Sequence, residues 1–169
     1  QTQLMPAHGY AARDRLSRAD AALAKFAEHD EVVLWFDACL YDQAILVRHL
    51  DWFSRQALGK TRLSLVCVGE FPGFGRFCGL GELMPKEIGS LFEKRHEITA
   101  AEFDLGRRAW AALRSPDPTA IEKVCGEDTS ALPYLGDALR RYLQQYPSVR
   151  NGLNRLQNAA LKAVATGHF

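Results

Sequence analysis

No stretch of this chain is long and apolar enough to read as a membrane span, and no secretory leader pattern opens it. A membrane partner is therefore not expected, and the cytoplasm is the expected compartment. Charge of one sign is also lacking. The formal net charge of +1 over 169 residues excludes a generally basic nucleic-acid-binding surface, although not a local patch. Cysteine is sparse and scattered: Cys39, Cys67, Cys78 and Cys125 form no C-x-x-C pair and have no histidine at zinc-ligand spacing. Four free thiols in a reducing compartment are expected. Missing too are G-x-G-x-x-G, the full G-x-x-x-x-G-K-[ST] and G-x-S-x-G, so neither a dinucleotide fingerprint, a phosphate loop nor a serine-hydrolase elbow is written here. There is no internal repeat and no low-complexity segment.

What is present reads as an ordinary globular composition, with room for one domain and a small helical appendage. The most informative stretch is Glu31–Asp51, EVVLWFDACLYDQAILVRHLD. Its continuous apolar run, Val32–Phe36, suits a strand buried on both faces. A polar turn follows, and then Ile45, Leu46, His49, Leu50 and Phe53 recur at helical spacing, predicting a helix over Tyr41–Leu58 closed by Gly59. Arg62–Val68 is the second strand. Strand, helix, strand at this length is a βαβ unit with parallel strands.

Beyond a glycine-rich segment, Gly69–Gly81, every periodic segment reads as helical. Pro85–Lys94 carries proline in its first turn, and Thr99 with Glu102 forms a capping box for a helix to Leu113. Asp117-Pro118 opens Thr119–Cys125, Leu132–Gln145 stops before Pro147, and Asn154 with Gln157 opens a last helix to Thr166. Ahead of the first strand, Gln1–Tyr10 reads as a loop and Ala11–Glu28 as an amphipathic helix. The expected fold is thus α/β: a short, mostly parallel, Rossmann-like sheet in residues 1–81, then an all-helical region in residues 82–169.

Ligands of open α/β sheets bind beyond the carboxyl ends of the strands. Asp37, Tyr41, Asp42 and Gln43 follow the first strand, while Glu70 and Arg76 follow the second. These six are the candidate ligand-binding residues. Parallel strands would bring Asp37, Asp42 and Glu70 to one rim, where three acids and an arginine can bind a divalent metal, orient a sugar or amine, or do acid–base work. The spacing selects none of these, and no catalytic residue, resident metal or cofactor is assigned. Asp42 also has a plain structural role as a first-turn carboxylate.

Other residues have plainer readings. Phe71, Phe74 and Phe77 alternate through the glycine-rich segment, which reads as a packed loop, with Arg76 its only cation for a phosphate. Trp35 and Trp52 read as packing residues, His49 as a satisfied core histidine and Cys67 as a small core residue. Cys39 lies near a helix start, a place where a thiol pKa can fall, but a bystander thiol is favoured. The last part of the chain is basic: after Asp137 no acid occurs, while Arg140, Arg141, Arg150, Arg155 and Lys162 do. Arg140, Arg141, Arg150 and Arg155 are the candidate partner-binding residues. Two helices joined by YPSVRNGL invite a helix-turn-helix reading, but the linker is long and no recognition helix follows. A solvated basic face is the favoured account.

The runs LWFDACLYDQAILVRHLDWFSR, LSLVCVGEFPGF with GLGEL, and AWAALRSPDPTAIE through DTSALPYLGDALRRYLQQYPSVRNGL occur in this order between about Glu31 and Leu161. Together they resemble bacterial proteins carrying the domain of unknown function 1835. The resemblance implies a fold but no activity. It also implies an upstream strand, Gly-Asp-Ser-type turn and helix that this sequence lacks, so the α/β part is expected to be incomplete at its amino end. The first residue, Gln1 rather than Met, fits a trimmed or processed chain. The family tends to carry His-Asp where this chain has Ala38-Cys39, ahead of the shared Leu40–Gln43; if that pair is catalytic there, this chain is inactive or altered. After Asn151-Gly152 the resemblance implies the start of a winged-helix-like module. Two functions are carried forward: small-molecule or nucleotide binding at the strand rim, and a regulatory role in which the basic helices meet a protein or nucleic acid.

Overall fold

A computed structural model describes residues 7–167, with side chains from Arg13 onward. The helices are α1 (Ala7–Leu23), α2 (Leu40–Phe53), α3 (Pro85–Phe92), α4 (Ala100–Leu113), α5 (Thr119–Cys125), α6 (Leu135–Leu143) and α7 (Arg155–Ala165). The strands are β1 (Glu31–Asp37), β2 (Arg62–Val68) and β3 (His96–Glu97). The fold is mixed α/β and mostly helical.

The sheet order is β1-β2-β3. β1 and β2 are parallel over seven pairs, from Glu31 opposite Arg62 to Asp37 opposite Val68. The helix between them, α2, completes the βαβ unit. The third strand departs from expectation. His96 and Glu97 pair antiparallel with Leu65 and Ser64, and the Ile98 N–H donates to the Leu63 carbonyl at 3.0 Å. The sheet is therefore mixed, with only β1 and β2 parallel, and the stretch after Gly81 is not wholly helical. A two-residue strand carries no periodicity, so the His96–Ile98 segment has no sequence signal of its own.

Alternation along the strands divides two cores. Leu34, Phe36, Leu63 and Leu65 face α2, α4, α5 and α6 in one cluster, where Leu46, Val47, Leu50, Leu105, Ala109, Ile121, Leu135 and Leu139 are all 1% exposed or less. This cluster runs across position 81. Truncating a leucine here costs about 2–5 kcal/mol. α2 and α4 cross closely: a Cβ on Gly106 would lie 2.5 Å from Leu50 Cβ, so this contact requires glycine. On the opposite face, Val33, Trp35, Val66 and Val68 are covered by Leu83, Leu91 and the glycine-rich loop. The rings of Phe71, Phe74 and Phe77 pack edge to face at 6.0 and 5.9 Å there.

Element boundaries shift for local reasons. α2 ends at Phe53 rather than Leu58, because Ser54 caps it and Gly59, at φ +60, serves the turn into β2 instead. α1 starts inside the expected amino-terminal loop; the Gln1–Pro6 part of that loop lies outside the described residues. The chain then leaves α1 at Leu23 for a 3-10 turn, Phe26–Glu28, that drops Phe26 into the core. The capping boxes at Thr99 and Asn154 form as written, with Glu102 and Gln157 as the returning partners. α7 contains no buried residue, and Leu156, Leu161 and Val164 are 73, 56 and 58% exposed.

Candidate functional site

The turn Ala38–Cys39 joins β1 to α2 and is locked by reciprocal hydrogen bonds. The Asp37 N–H donates to Asp42 Oδ2 at 2.8 Å, and the Cys39 N–H donates to Asp37 Oδ1 at 2.8 Å. The Asp42 N–H donates to Cys39 Sγ at 3.4 Å, making Cys39 the N-cap of α2. Beneath them Gln43, 1% exposed, donates from Nε2 to the Asp37 carbonyl at 2.7 Å and to Cys67 Sγ at 3.3 Å. Four neighbouring residues thus satisfy the carboxyl end of β1 and the amino end of α2 together.

That lock decides the chemistry of the acids. Ligand atoms of Asp37, Cys39 and Asp42 lie within 4.8 Å of one another, a spacing that can hold a cation. Each nevertheless has at least one donor atom committed to a backbone N–H. The other Asp37 oxygen faces Gly79, where a Cβ would collide with it; Gly79 has φ +147, so the loop approach needs glycine twice over. Glu70 is exposed and does not join Asp37 and Asp42, and the Tyr134 ring packs directly on the neighbouring Gly69. Sequence reasoning brings three acids to this rim; the structure brings two.

The pKa of Cys39, an exposed residue, is shifted up rather than down. Partial desolvation of the sulfur and the facing Asp37 carboxylate outweigh the Asp42 N–H, which acts the other way. Cys67 goes further, pushed up to about 11 mainly by burial.

Two cavities share the Ala38–Cys39 ridge. The smaller, about 290 Å³, lies between Asp37 and the glycine-rich loop, with Arg76, Cys78 and Gly79 in its walls. The larger, about 700 Å³, opens on the other side, between the first turn of α2 and the helices α6 and α7. Ala38, Cys39, Leu40 and Tyr41 form one wall; Arg140, Arg141 and Arg155 are in the other, with Asp137 its one acid. Arg140 donates to Asp137 Oδ1 at 2.8 Å, and Arg155 to Gln144 Oε1 at 2.8 Å. Arg141 has no ion-pair partner among the described residues. Tyr41 is 77% exposed and makes no ring contact with another described aromatic residue.

The candidate residues are thereby regrouped. Tyr41 and the basic residues Arg140, Arg141 and Arg155 line one cleft, although they lie on different helices far apart in the chain. Arg76 joins Asp37 in the smaller cavity. Asp42 and Gln43 are scaffold beneath the rim. Arg150 stands apart in the α6–α7 turn, its N–H bonded to Ser148 Oγ. Asp137, Ala138, Gln144 and Gln145 have no signal of their own in the sequence; only the α2–α6 packing brings them to the cleft. His49 is half-buried, with Nδ1 2.8 Å from the Ile45 carbonyl, as its intrahelical spacing allows.

Comparison with known proteins returns no matching family model, no matching curated protein and no matching solved structure.

Proposed function

We propose that this protein binds a small anionic molecule in the cleft between the β1–α2 turn and α6–α7. The observation that carries this reading is the gathering of Arg140, Arg141 and Arg155 around about 700 Å³, with Arg141 lacking an ion-pair partner among the described residues and Asp137 the one carboxylate in the lining. Guanidiniums are the preferred forks for carboxylate and phosphate, and the cleft volume falls in the range of small-molecule sites. On this reading the ligand sits beside the carboxyl end of β1, where open α/β sheets bind theirs. The activity is binding; no residue in the cleft has the geometry of an activated nucleophile, and no metal or cofactor is assigned.

The test is a thermal-shift and calorimetric screen of phosphorylated and carboxylated metabolites on the parent protein, Arg141→Ala and Arg155→Ala. Stabilisation by an anion that is weakened in both variants supports the reading. A flat screen on well-folded protein refutes it.

A second reading rests on α7, whose Leu156, Leu161 and Val164 face solvent on an acid-free part of the chain. On that reading the protein is regulatory, and its basic end meets a protein or nucleic acid. It requires salt-sensitive binding that is lost in an Arg150→Ala, Arg155→Ala double variant. Membership in the domain-of-unknown-function 1835 family and a cytoplasmic setting are part of the same proposal, supported by the quoted sequence runs and by four unpaired cysteines. No helix among the described residues is long and apolar enough to cross a membrane.

A further inference from the structure

Resting on the anion-cleft reading, we infer that the ligand is a nucleoside phosphate whose base stacks on Tyr41 and whose phosphate meets Arg141. A bare inorganic anion would fill little of a cleft of about 700 Å³, which has room for a larger occupant. A ligand that fills it carries a sizeable neutral part beside its charge. The walls say what kind. Leu40 and Ala138 give the cleft apolar surface, and Tyr41 presents a phenol ring that is 77% exposed. Tyr142 with Tyr146, Trp35 with Phe92, and Trp52 with Phe26 and Phe53 find ring partners inside the protein, and Tyr134 and Trp110, without ring partners among the described residues, are half-buried. Tyr41 has none among the described residues, so an unoccupied flat surface stands across the cleft from a cluster of cations.

A flat ring joined to a phosphate satisfies both at once. Bases stack on aromatic side chains whatever their sequence identity, because every base has a π-face. Arg141 is the cation free to take the phosphate as a bidentate fork. Arg140 is shared with Asp137, and Arg155 is held by Gln144, so these two set the field and the rim of the cleft. Gln144 and Gln145 supply amides for ribose hydroxyls or base edges. A sugar phosphate lacking a base would use the arginines and leave Tyr41 bare.

The experiment is a calorimetric comparison of AMP, ADP, GMP, ribose 5-phosphate and inorganic phosphate on the full chain, repeated with Tyr41→Ala, Tyr41→Phe and Arg141→Ala. At least one nucleotide should bind at least tenfold more tightly than ribose 5-phosphate. Tyr41→Ala should weaken that nucleotide by about ten- to a hundredfold and leave ribose 5-phosphate unchanged, while Tyr41→Phe, which keeps the ring, should bind like the parent. Arg141→Ala should weaken nucleotide and sugar phosphate alike. Circular dichroism checks that the variants fold; Tyr41 and Arg141 are exposed, and neither supports the core. Ribose 5-phosphate binding as tightly as every nucleotide, or indifference of nucleotide affinity to Tyr41→Ala, overturns this inference and leaves the anion cleft standing. Failure of all five probes, together with a flat wider screen of carboxylates, overturns both.

Discussion

Gln43 supports the rim from below, and replacing it should loosen the site by a calculable amount. Its side chain is 1% exposed, and Nε2 donates to the Asp37 carbonyl at 2.7 Å. Gln43→Met keeps the volume and removes the donor. The Asp37 carbonyl then remains under the β1–α2 turn without its side-chain partner, a loss worth about 1–3 kcal/mol. The second bond, to Cys67 Sγ at 3.3 Å, ends on a weak acceptor and adds little. For a chain of this length each kcal/mol is about 2–4 °C, so Tm should fall by roughly 2–12 °C. In urea, with a slope near 2 kcal/mol/M, the midpoint should drop by about 0.5–1.5 M at unchanged slope. Gln43→Ala should cost more, since it also opens a cavity. A Gln43→Met protein with the parent midpoint, alongside a destabilised Gln43→Ala, would show that the amide contributes volume and not hydrogen bonds, and the reasoning would fail.

Further expectations follow from the same kind of argument. Glu31 accepts hydrogen bonds from Ser64, Arg62 and Arg95, which hold its pKa near 2 against an ordinary 4.5. Its contribution to stability is therefore complete above about pH 4.5 and fades as pH falls toward 2; denaturation series should show Glu31→Gln less stable at pH 7 and converging on the parent near pH 2. Gly79→Ala forces a side chain into a φ of +147 and against Asp37 Oδ2, so a loss of about 1–3 kcal/mol is expected in thermal unfolding, with no loss for Gly81→Ala, which meets open space. Native labelling at pH 8 with an aromatic disulfide reagent, read by peptide mass spectrometry, should modify exposed Cys39 and Cys78 well before Cys67, whose thiol is pushed up to about 11; early modification of Cys67 contradicts the packing described. Amide exchange in α7 should be the fastest among α2 to α7, since nothing in it is buried, and a bound nucleotide should slow it through Arg155.

The parts of this structure visible in the sequence are those with short-range causes. Continuous apolar runs mark β1 and β2, and the Thr99 and Asn154 capping boxes place the starts of α4 and α7. β3 escapes because two residues contain no period, and its pairing depends on the chain returning from α3. For the site, the β1–α2 turn is legible because strand, polar turn and helix are contiguous. The arginines are legible only as a charge asymmetry. Their meeting with Tyr41 depends on how α6 packs against α2, a tertiary fact without a local signal. Glu70 shows the converse: its position after a parallel strand suggests a shared rim, but the course of the loop decides where it goes.

The two walls of the cleft are separated by most of the chain, one belonging to the β1–α2 turn and the other to α6 and α7. Such a contact has a high sequence separation and must close a long stretch of chain, so it is expected to form after the local contacts. Local units such as the capped α4 helix need no such closure. Recovery of ligand affinity during refolding should therefore lag the recovery of helical signal, and a ribosome-bound chain should acquire its binding site only after Arg155 has emerged.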